Sequence, residues 1–323
     1  MSAPRLLVTR RWPDQVERHL QNHYDVQLNA DDVPMTAEEL QAAFRDYDAV
    51  LPTVSDRITA EVMGAEPLKA RLVGNFGVGF NHIDIEAAKA LGLTVTNTPE
   101  VLTDCTADIA MTLLLTVARR AGEGERHVRA GEWTGWRPTH MMGTKVTDKT
   151  LGLVGFGRIG KAVARRAHYG FGMRILYFDA YSPDPEAVAA VGAESCSSIE
   201  EVLERSDFVS LHCPGSAENR HLINAERLSV MRPHAFLINT ARGDVVEEAA
   251  LVAAIKAGTI AGAGLDVFEF EPEVSPELAS LENVVLLPHL GSATTETRVA
   301  MGMRVVQNVQ AFFAGEPPPD RVA

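Results

Sequence analysis

Only three of the 323 residues are cysteine, Cys105, Cys196 and Cys213, and no two of them form a CxxC pair. An odd, scattered set excludes a disulfide framework and points to reduced thiols in a cytoplasmic setting. No His/Cys cluster has zinc-site spacing, so no metal is expected. The chain has no lysine- or arginine-rich block and carries a net charge of −13. That balance argues against nucleic acid and anionic membranes as main partners. The start, MSAPRLLVTRRW, lacks the apolar core of a signal peptide. The longest apolar helical stretch, IAMTLLLTVA at 109–118, is too short to span a bilayer. There is no repeat of fixed period and no low-complexity linker. What is there is an ordinary globular composition, 46% hydrophobic and 23% charged. The length suits two domains. A soluble cytoplasmic protein is expected.

Strand and helix signals alternate along the chain. RLLVT (5–9), YDVQLN (24–29), AVLPT (49–53), RLVGNFG (71–77) and TVTNT (94–98) read as strands, with helical stretches between them. Alternation of this kind predicts a doubly wound parallel sheet. A long helical pattern follows at 103–124, with Arg119 and Arg120 placed in its last turn, and then an irregular aromatic segment at 131–146. Six more strands follow: TLGLVGFG, MRILYFDA, FVSLHC, HAFLINTA, TIAGAGLDV and NVVLLPH. They predict a second open parallel sheet. The tail from 294 reads as one helix stopped at Gly315.

The strongest local signal is TLGLVGFGRIGKAVARRAHYG (150–170), with Gly155, Gly157 and Gly160 in GxGxxG spacing. The glycines lie between a buried strand and an amphipathic helix, and the next strand ends in Asp179. In a dinucleotide site Gly155 allows the tight turn, Gly157 lets backbone amides approach the pyrophosphate, and Gly160 lets helix and strand pack closely. The helix N-terminus favours the phosphates, and Asp179 would bond the adenosine ribose. Residues 180–182 are Ala, Tyr and Ser, which offer no cation to a 2′-phosphate. NAD(H) is therefore expected over NADP(H).

Three polar residues follow successive apolar strands: Arg242 after FLINTA, Glu271 after GAGLDVF, and His289 after VVLLP. The carboxyl ends of strands in an open α/β sheet line the ligand crevice. The segment NVVLL (283–287) reads as a buried strand, which Pro288 ends just before the histidine. Beside a nucleotide motif, three polar residues at equivalent strand ends point to hydride chemistry. Arginine suits a carboxylate, and histidine exchanges protons near neutral pH. Arg165 and Arg166 read as a solvated helix face, and Met141 and Met142 as packing residues. Trp133 and Trp136, in a Gly-flanked loop, read as a buried anchor or an interface.

The chain resembles the D-isomer-specific 2-hydroxyacid dehydrogenases over essentially its whole length. The resemblance is carried by GVGFNHID, LVGFGRIGKAVA, LHCPGSAENRHLIN, FLINTARGDVVEEAAL, GLDVFEFEP and LLPHLGSAT, in that order. WTGWRP and PHLGSAT are most similar to the glyoxylate/hydroxypyruvate reductases of that family. The resemblance implies a flavodoxin-like substrate domain of residues 1–103 and 293–323, and a Rossmann NAD-binding domain of residues 104–292. It implies that Arg242 binds the substrate carboxylate and carbonyl oxygen, that His289 is the proton donor, and that Glu271 pairs with it. Val78 and Gly79 would offer amides to the carboxylate, with Ser292 nearby. Thr240 and Asp266 would lie near the nicotinamide. Thr106, Arg158, Ile159, His212, Pro214, Ala241 and Gly291 would complete the cofactor site.

The activity implied is reduction of a small 2-keto acid such as glyoxylate or hydroxypyruvate to the D-2-hydroxy acid. Other readings are another dehydrogenase of the family, such as phosphoglycerate dehydrogenase, or an NAD(H)-sensing protein like the corepressors of this fold. The end at Ala323, without an added regulatory domain, speaks against the longer phosphoglycerate forms. A homodimer is expected, with Trp136 reaching a neighbouring subunit's active site or packing locally.

Overall fold

The computed structural model describes residues 3–323. It divides into two units. One holds the chain up to Leu102 together with Ala293–Ala323, and the other is Thr103–Ser292.

The first unit contains β1 (Arg5–Val8), β2 (Asp25–Leu28), β3 (Ala49–Leu51), β4 (Leu72–Gly74) and β5 (Thr94–Thr96). All pairings are parallel, in the order β2-β1-β3-β4-β5. This is the flavodoxin-like order. The end of the chain completes the unit. The helix Thr295–Ala314 lies so close to the helix Asp14–His23 that a Cβ on Gly302 would come within 2.7 Å of Val16. Arg304 then grips Asp320 with two bonds of 2.6 and 2.7 Å, and Arg321 bridges to Thr96 at the edge of β5. As the sequence suggested, the helix stops at Gly315, whose φ of 79° suits glycine.

The second unit contains β6 (Thr150–Val154), β7 (Arg174–Phe178), β8 (Glu194–Ser195), β9 (Phe208–Leu211), β10 (Phe236–Asn239), β11 (Gly262–Leu265) and β12 (Val284–Leu286). The order is β12-β11-β10-β9-β6-β7-β8, again parallel throughout. Counted from β6 it is the 3-2-1-4-5-6 dinucleotide-binding order with one strand added at the far edge. Every residue of β6, β9, β10 and β11 is buried. These strands therefore read as largely apolar runs, broken only by Thr150, Ser210 and Asn239, because helices cover both faces of the sheet. One face packs Leu113, Leu114, Val163 and Ala167 against Leu151 and Leu153. The other packs Val202, Leu203, Leu251 and Ile255 against Val209 and Leu237.

Several expectations are corrected. The helical run at 103–124 is two helices, Thr103–Ala118 and Ala121–Arg129. Arg119 and Arg120 thus lie beyond the last turn of the first. Arg120 turns left-handed (φ 54°) and holds Glu123 with two bonds, while the Ala118 carbonyl accepts the Thr144 amide at 2.7 Å. Both arginines are good helix formers, so neither propensity nor periodicity marks the break. The NVVLL strand is not buried throughout. In β12 only Val284 is, because β12 is the sheet edge. The two-residue β8 escaped notice for its shortness. Arg166 is not a free surface residue. It ties its helix to Asp108 (2.7 Å) and Asp104 (3.0 Å) on the helix Thr103–Ala118. Among the described residues no helix is long and apolar enough to cross a membrane.

Candidate active site

The order of the second sheet reverses between β6 and β9, and the glycine loop lies there. Gly155 follows β6 with φ 96°, and a Cβ on it would sit 2.8 Å from the His212 backbone just after β9. Only glycine allows both the conformation and the approach. A Cβ on Gly160 would overlap the Gly155 carbonyl, so the helix Arg158–Phe171 packs directly on the loop. A Cβ on Gly157, its N-cap, would meet open space. Arg158 and Ile159 open this helix, and its first turn carries no acidic residue. Fourteen aligned peptides leave unsatisfied amides and positive potential at that end. This is a cradle that fits a pyrophosphate.

Asp179 follows β7. Its carboxylate accepts the Phe156 amide of the glycine loop at 2.6 Å and the Tyr181 amide at 2.9 Å. The acid is thereby anchored beside the loop. Thr240, after β10, has a buried hydroxyl with no hydrogen-bond partner. A buried hydroxyl is costly unless bonded, and a bound ligand group would satisfy it. These residues fit a dinucleotide.

Arg242, Glu271 and His289 follow β10, β11 and β12, at the same edge of the sheet. His289 Nδ1 lies 2.9 Å from Glu271 Oε2. The other Glu271 oxygen accepts the Phe268 amide at 3.0 Å. Burial would raise the Glu271 carboxyl, but His289, the Phe268 amide and Arg242 together hold it below the usual range. It is therefore a carboxylate at neutral pH, and an acceptor must face a donor. Nδ1 of His289 thus carries a proton, and Nε2 is left for exchange. Arg242 is desolvated, which lowers its pKa, but Glu271 and Asp244 oppose the shift. A guanidinium stays charged under such a shift. Its Nη1 donates to the Ala241 carbonyl at 2.6 Å, and the Ala241 amide is fixed in turn by Asn239 Oδ1 at 3.0 Å.

His289 has φ 54°, a left-handed conformation that is uncommon outside glycine. Asp266 holds it there. The Asp266 carbonyl accepts the His289 amide at 2.9 Å, and the carboxylate accepts the Leu290 and Gly291 amides at 2.6 and 2.7 Å. Thr106 adds a bond from its hydroxyl to the Gly291 carbonyl at 3.0 Å. Ser292 closes the unit just after this loop. Asp266 and Thr106, read from sequence as cofactor residues, thus also hold the loop of His289. Pro214, near the end of β9, accepts Asn219 Nδ2 at 2.9 Å.

In the first unit the carbonyls of Gly77, Val78 and Gly79 are all held by the protein. Asn75 Nδ2 donates to Gly77 and Gly79 at 3.0 and 2.9 Å, and Asn97 Nδ2 donates to Val78 at 2.8 Å. In a trans peptide the N–H points opposite the preceding carbonyl. The amides of Val78 and Gly79 therefore turn away from these asparagines. Sequence reading named the amides and missed the asparagines, since Asn97 lies 19 residues from Val78 and only the fold brings it there. Trp133 and Trp136 are 54% and 81% exposed and Met142 is 67% exposed, so none is a buried anchor or packing residue within one chain.

Residues 111–291 match the family profile of the D-isomer specific 2-hydroxyacid dehydrogenase NAD-binding domain. The chain belongs to this family. It is 48% identical to the glyoxylate reductase of Thermococcus onnurineus, over 99% of this chain and 96% of that one. A glyoxylate reductase structure from Paecilomyes thermophila matches with TM-score 0.87 and 30% identity, covering 100% of this chain and 99% of the other. An NADPH-dependent glyoxylate/hydroxypyruvate reductase from Sinorhizobium meliloti, solved with NADP and malonate, matches with TM-score 0.89 and 37% identity over 100% and 97% of the chains. The protein is thus an oxidoreductase with a nicotinamide cofactor.

His212 offers a test of the loop packing. Burial pushes its imidazole down to about 4, so it is neutral at neutral pH, with Nε2 2.9 Å from Ser210 Oγ. Unfolded, it would protonate near pH 6.5. The unfolded chain then binds the extra proton, and stability falls as pH drops from about 6.5 towards 4. Calorimetric melting of cofactor-free protein across this range is expected to show the decline, with a shallower slope in His212→Asn. An unchanged slope in the variant would assign the acid sensitivity elsewhere.

Proposed function

We propose that this protein reduces glyoxylate, and the related hydroxypyruvate, with NADH, using His289 as proton donor. The observation that carries the reading is the Glu271–His289 bond beside Arg242, all three at the edge of the sheet where the glycine loop opens. Full-length likeness to proteins named glyoxylate reductase supports the choice of substrate.

A nicotinamide dinucleotide held by the Gly155–Gly160 loop, Asp179 and Thr240 would supply a hydride for the carbonyl carbon of the keto acid. Arg242 is the cation that binds the carboxylate and steadies the charge growing on the carbonyl oxygen. His289, doubly protonated at the start, gives its Nε2 proton to that oxygen. Glu271 keeps its charge throughout. Holding Nδ1–H at 2.9 Å, it fixes the ring and stabilises the cationic form that reduction consumes. In the oxidative direction the neutral ring takes the proton back.

Asp179 supports NADH over NADPH. With both oxygens engaged by backbone amides, it would leave a fixed negative charge facing a 2′-phosphate. The Sinorhizobium relative is NADPH-dependent by name, so family membership alone does not decide the cofactor. The exposed apolar residues Val128, Trp133, Trp136 and Met142 cluster within one segment of chain. They support a homodimer formed through that segment, with Trp136 donated towards the neighbouring subunit.

NADH oxidation should follow addition of glyoxylate to the wild type. His289→Ala is expected to lower kcat about 100-fold or more, the scale of general acid catalysis, with NADH affinity retained. No turnover of any small 2-keto acid by the wild type would refute the reading. Cofactor choice is tested by kcat/KM with NADH and NADPH: the wild type should favour NADH, and Asp179→Ser should narrow the gap. Equal use of the two by the wild type would discard the argument from Asp179. Light scattering should give roughly twice the 35.0 kDa chain mass, and a stable monomer at micromolar concentration would remove any role for Trp136 in a neighbour.

A further inference from the structure

Two buried carboxylates clasp each other behind the reacting groups. Glu248, in the first turn of the helix Glu248–Lys256, is 5% exposed, and the Glu269 side chain is 6% exposed. The Glu269 amide donates to Glu248 Oε1 at 2.6 Å, and the Glu248 amide donates to Glu269 Oε2 at 3.2 Å. The remaining Glu269 oxygen faces His221 Nε2 at 2.6 Å and Arg220 Nη2 at 3.3 Å. His221 is left-handed (φ 51°), and its amide donates to the Asp244 carbonyl at 2.7 Å.

The clasp ties the loop of Glu271 to the helix that follows the loop of Arg242, and through the His221 amide to Asp244 in that loop. Glu269 lies two residues before Glu271, whose carboxylate accepts the amide of Phe268, the residue just before Glu269, at 3.0 Å. Gly243 follows Arg242, and a Cβ there would overlap the Phe268 carbonyl, so the two loops touch backbone to backbone. Burying two acids in contact is expensive. Burial, together with the charges of Glu269 and Glu271, pushes the Glu248 carboxyl above its ordinary range. Apolar side chains would pack these loops at lower cost. They would not supply acceptors that face two backbone amides, an imidazole and a guanidinium at once.

We propose that Glu269, held by Glu248 and His221, is a positioning residue that fixes the loop of Glu271 against the loop of Arg242, and so sets where His289 is held. The proposal rests on the reading of these three residues as the reduction machinery. In Glu269→Gln the amide NH₂ must face a donor, either the Glu248 N–H or the Arg220 guanidinium. The clasp then opens on one side with little change of shape.

The test is a double-mutant cycle with Glu271→Gln on glyoxylate reduction by full-length protein. Glu269→Gln alone is expected to lower kcat about tenfold or more, the scale of a lost hydrogen bond to a charged group. NADH affinity, measured by fluorescence titration, should stay within a factor of about two of wild type, because the glycine loop is untouched. In the Glu271→Gln background the same change should cost less than about twofold, since Glu269 would act through Glu271. Multiplying effects, or an unchanged kcat in the single variant, would overturn the proposal. If Glu269→Gln does not fold, His221→Ala opens the clasp from its half-exposed side and takes its place in the cycle. A readout without turnover is the NMR signal of the His289 Nδ1–H proton. It should move in Glu269→Gln or His221→Ala, and an unmoved signal would overturn the proposal. Absence of any keto-acid reduction by the wild type would sink the functional reading alone, and the NMR signal would still decide the clasp.

Discussion

The Asp266 carboxylate takes the Leu290 amide on one oxygen and the Gly291 amide on the other, while its carbonyl takes the amide of His289. Without these bonds a histidine would have little reason to remain left-handed at the edge of a sheet. With them, the imidazole is aimed at Glu271, and the strain of the backbone is offset by a carboxylate that burial has made a strong acceptor. Burial raises the pKa of Asp266, while the two amides and His289 oppose the rise. The direction of the His289 ring therefore depends on Asp266, a residue that the ring itself does not bond.

The parallel sheet is what brings these parts within reach. Every strand of the second unit delivers its carboxyl end to one edge, so residues separated by about fifty positions in sequence become neighbours there. Glycines then decide how closely the loops approach. Gly155 lies against the backbone after β9, Gly160 against Gly155, and Gly243 against Phe268. At each of these positions one added carbon would push apart a loop of the cofactor cradle or a loop that carries a reacting group. The same device works twice, once in the glycine loop after β6 and once between the loops that carry Arg242 and Glu271.

Much of this was legible in the sequence because it is local. Parallel strands buried on both faces are largely apolar, so β6, β9, β10 and β11 stand out as runs. A dinucleotide loop needs its glycines at fixed spacing, so Gly155, Gly157 and Gly160 are readable without coordinates. Arg242, Glu271 and His289 were visible as polar residues placed just after such runs. Other features left no local trace. The break at Arg120 depends on a carbonyl captured by Thr144, and the edge position of β12 depends on which strand lies beyond it, not on its composition. Arg166 looked like any exposed helix arginine until the neighbouring helix put Asp104 and Asp108 beside it.

The sequence by itself determined the alternation of elements, the two parallel sheets, the cofactor loop and the identity of the three chemical groups, because each rests on short-range spacing and on burial. Only the tertiary structure decided that Glu271 meets Nδ1 of His289 and so leaves Nε2 for the proton, that Asp266 holds the histidine loop, and that Glu248 and Glu269 clasp the loops behind it. The reason is physical: these are pairings of single hydrogen-bonding groups across 18 to 24 residues, and their geometry exists only after the strands have taken their order in the sheet.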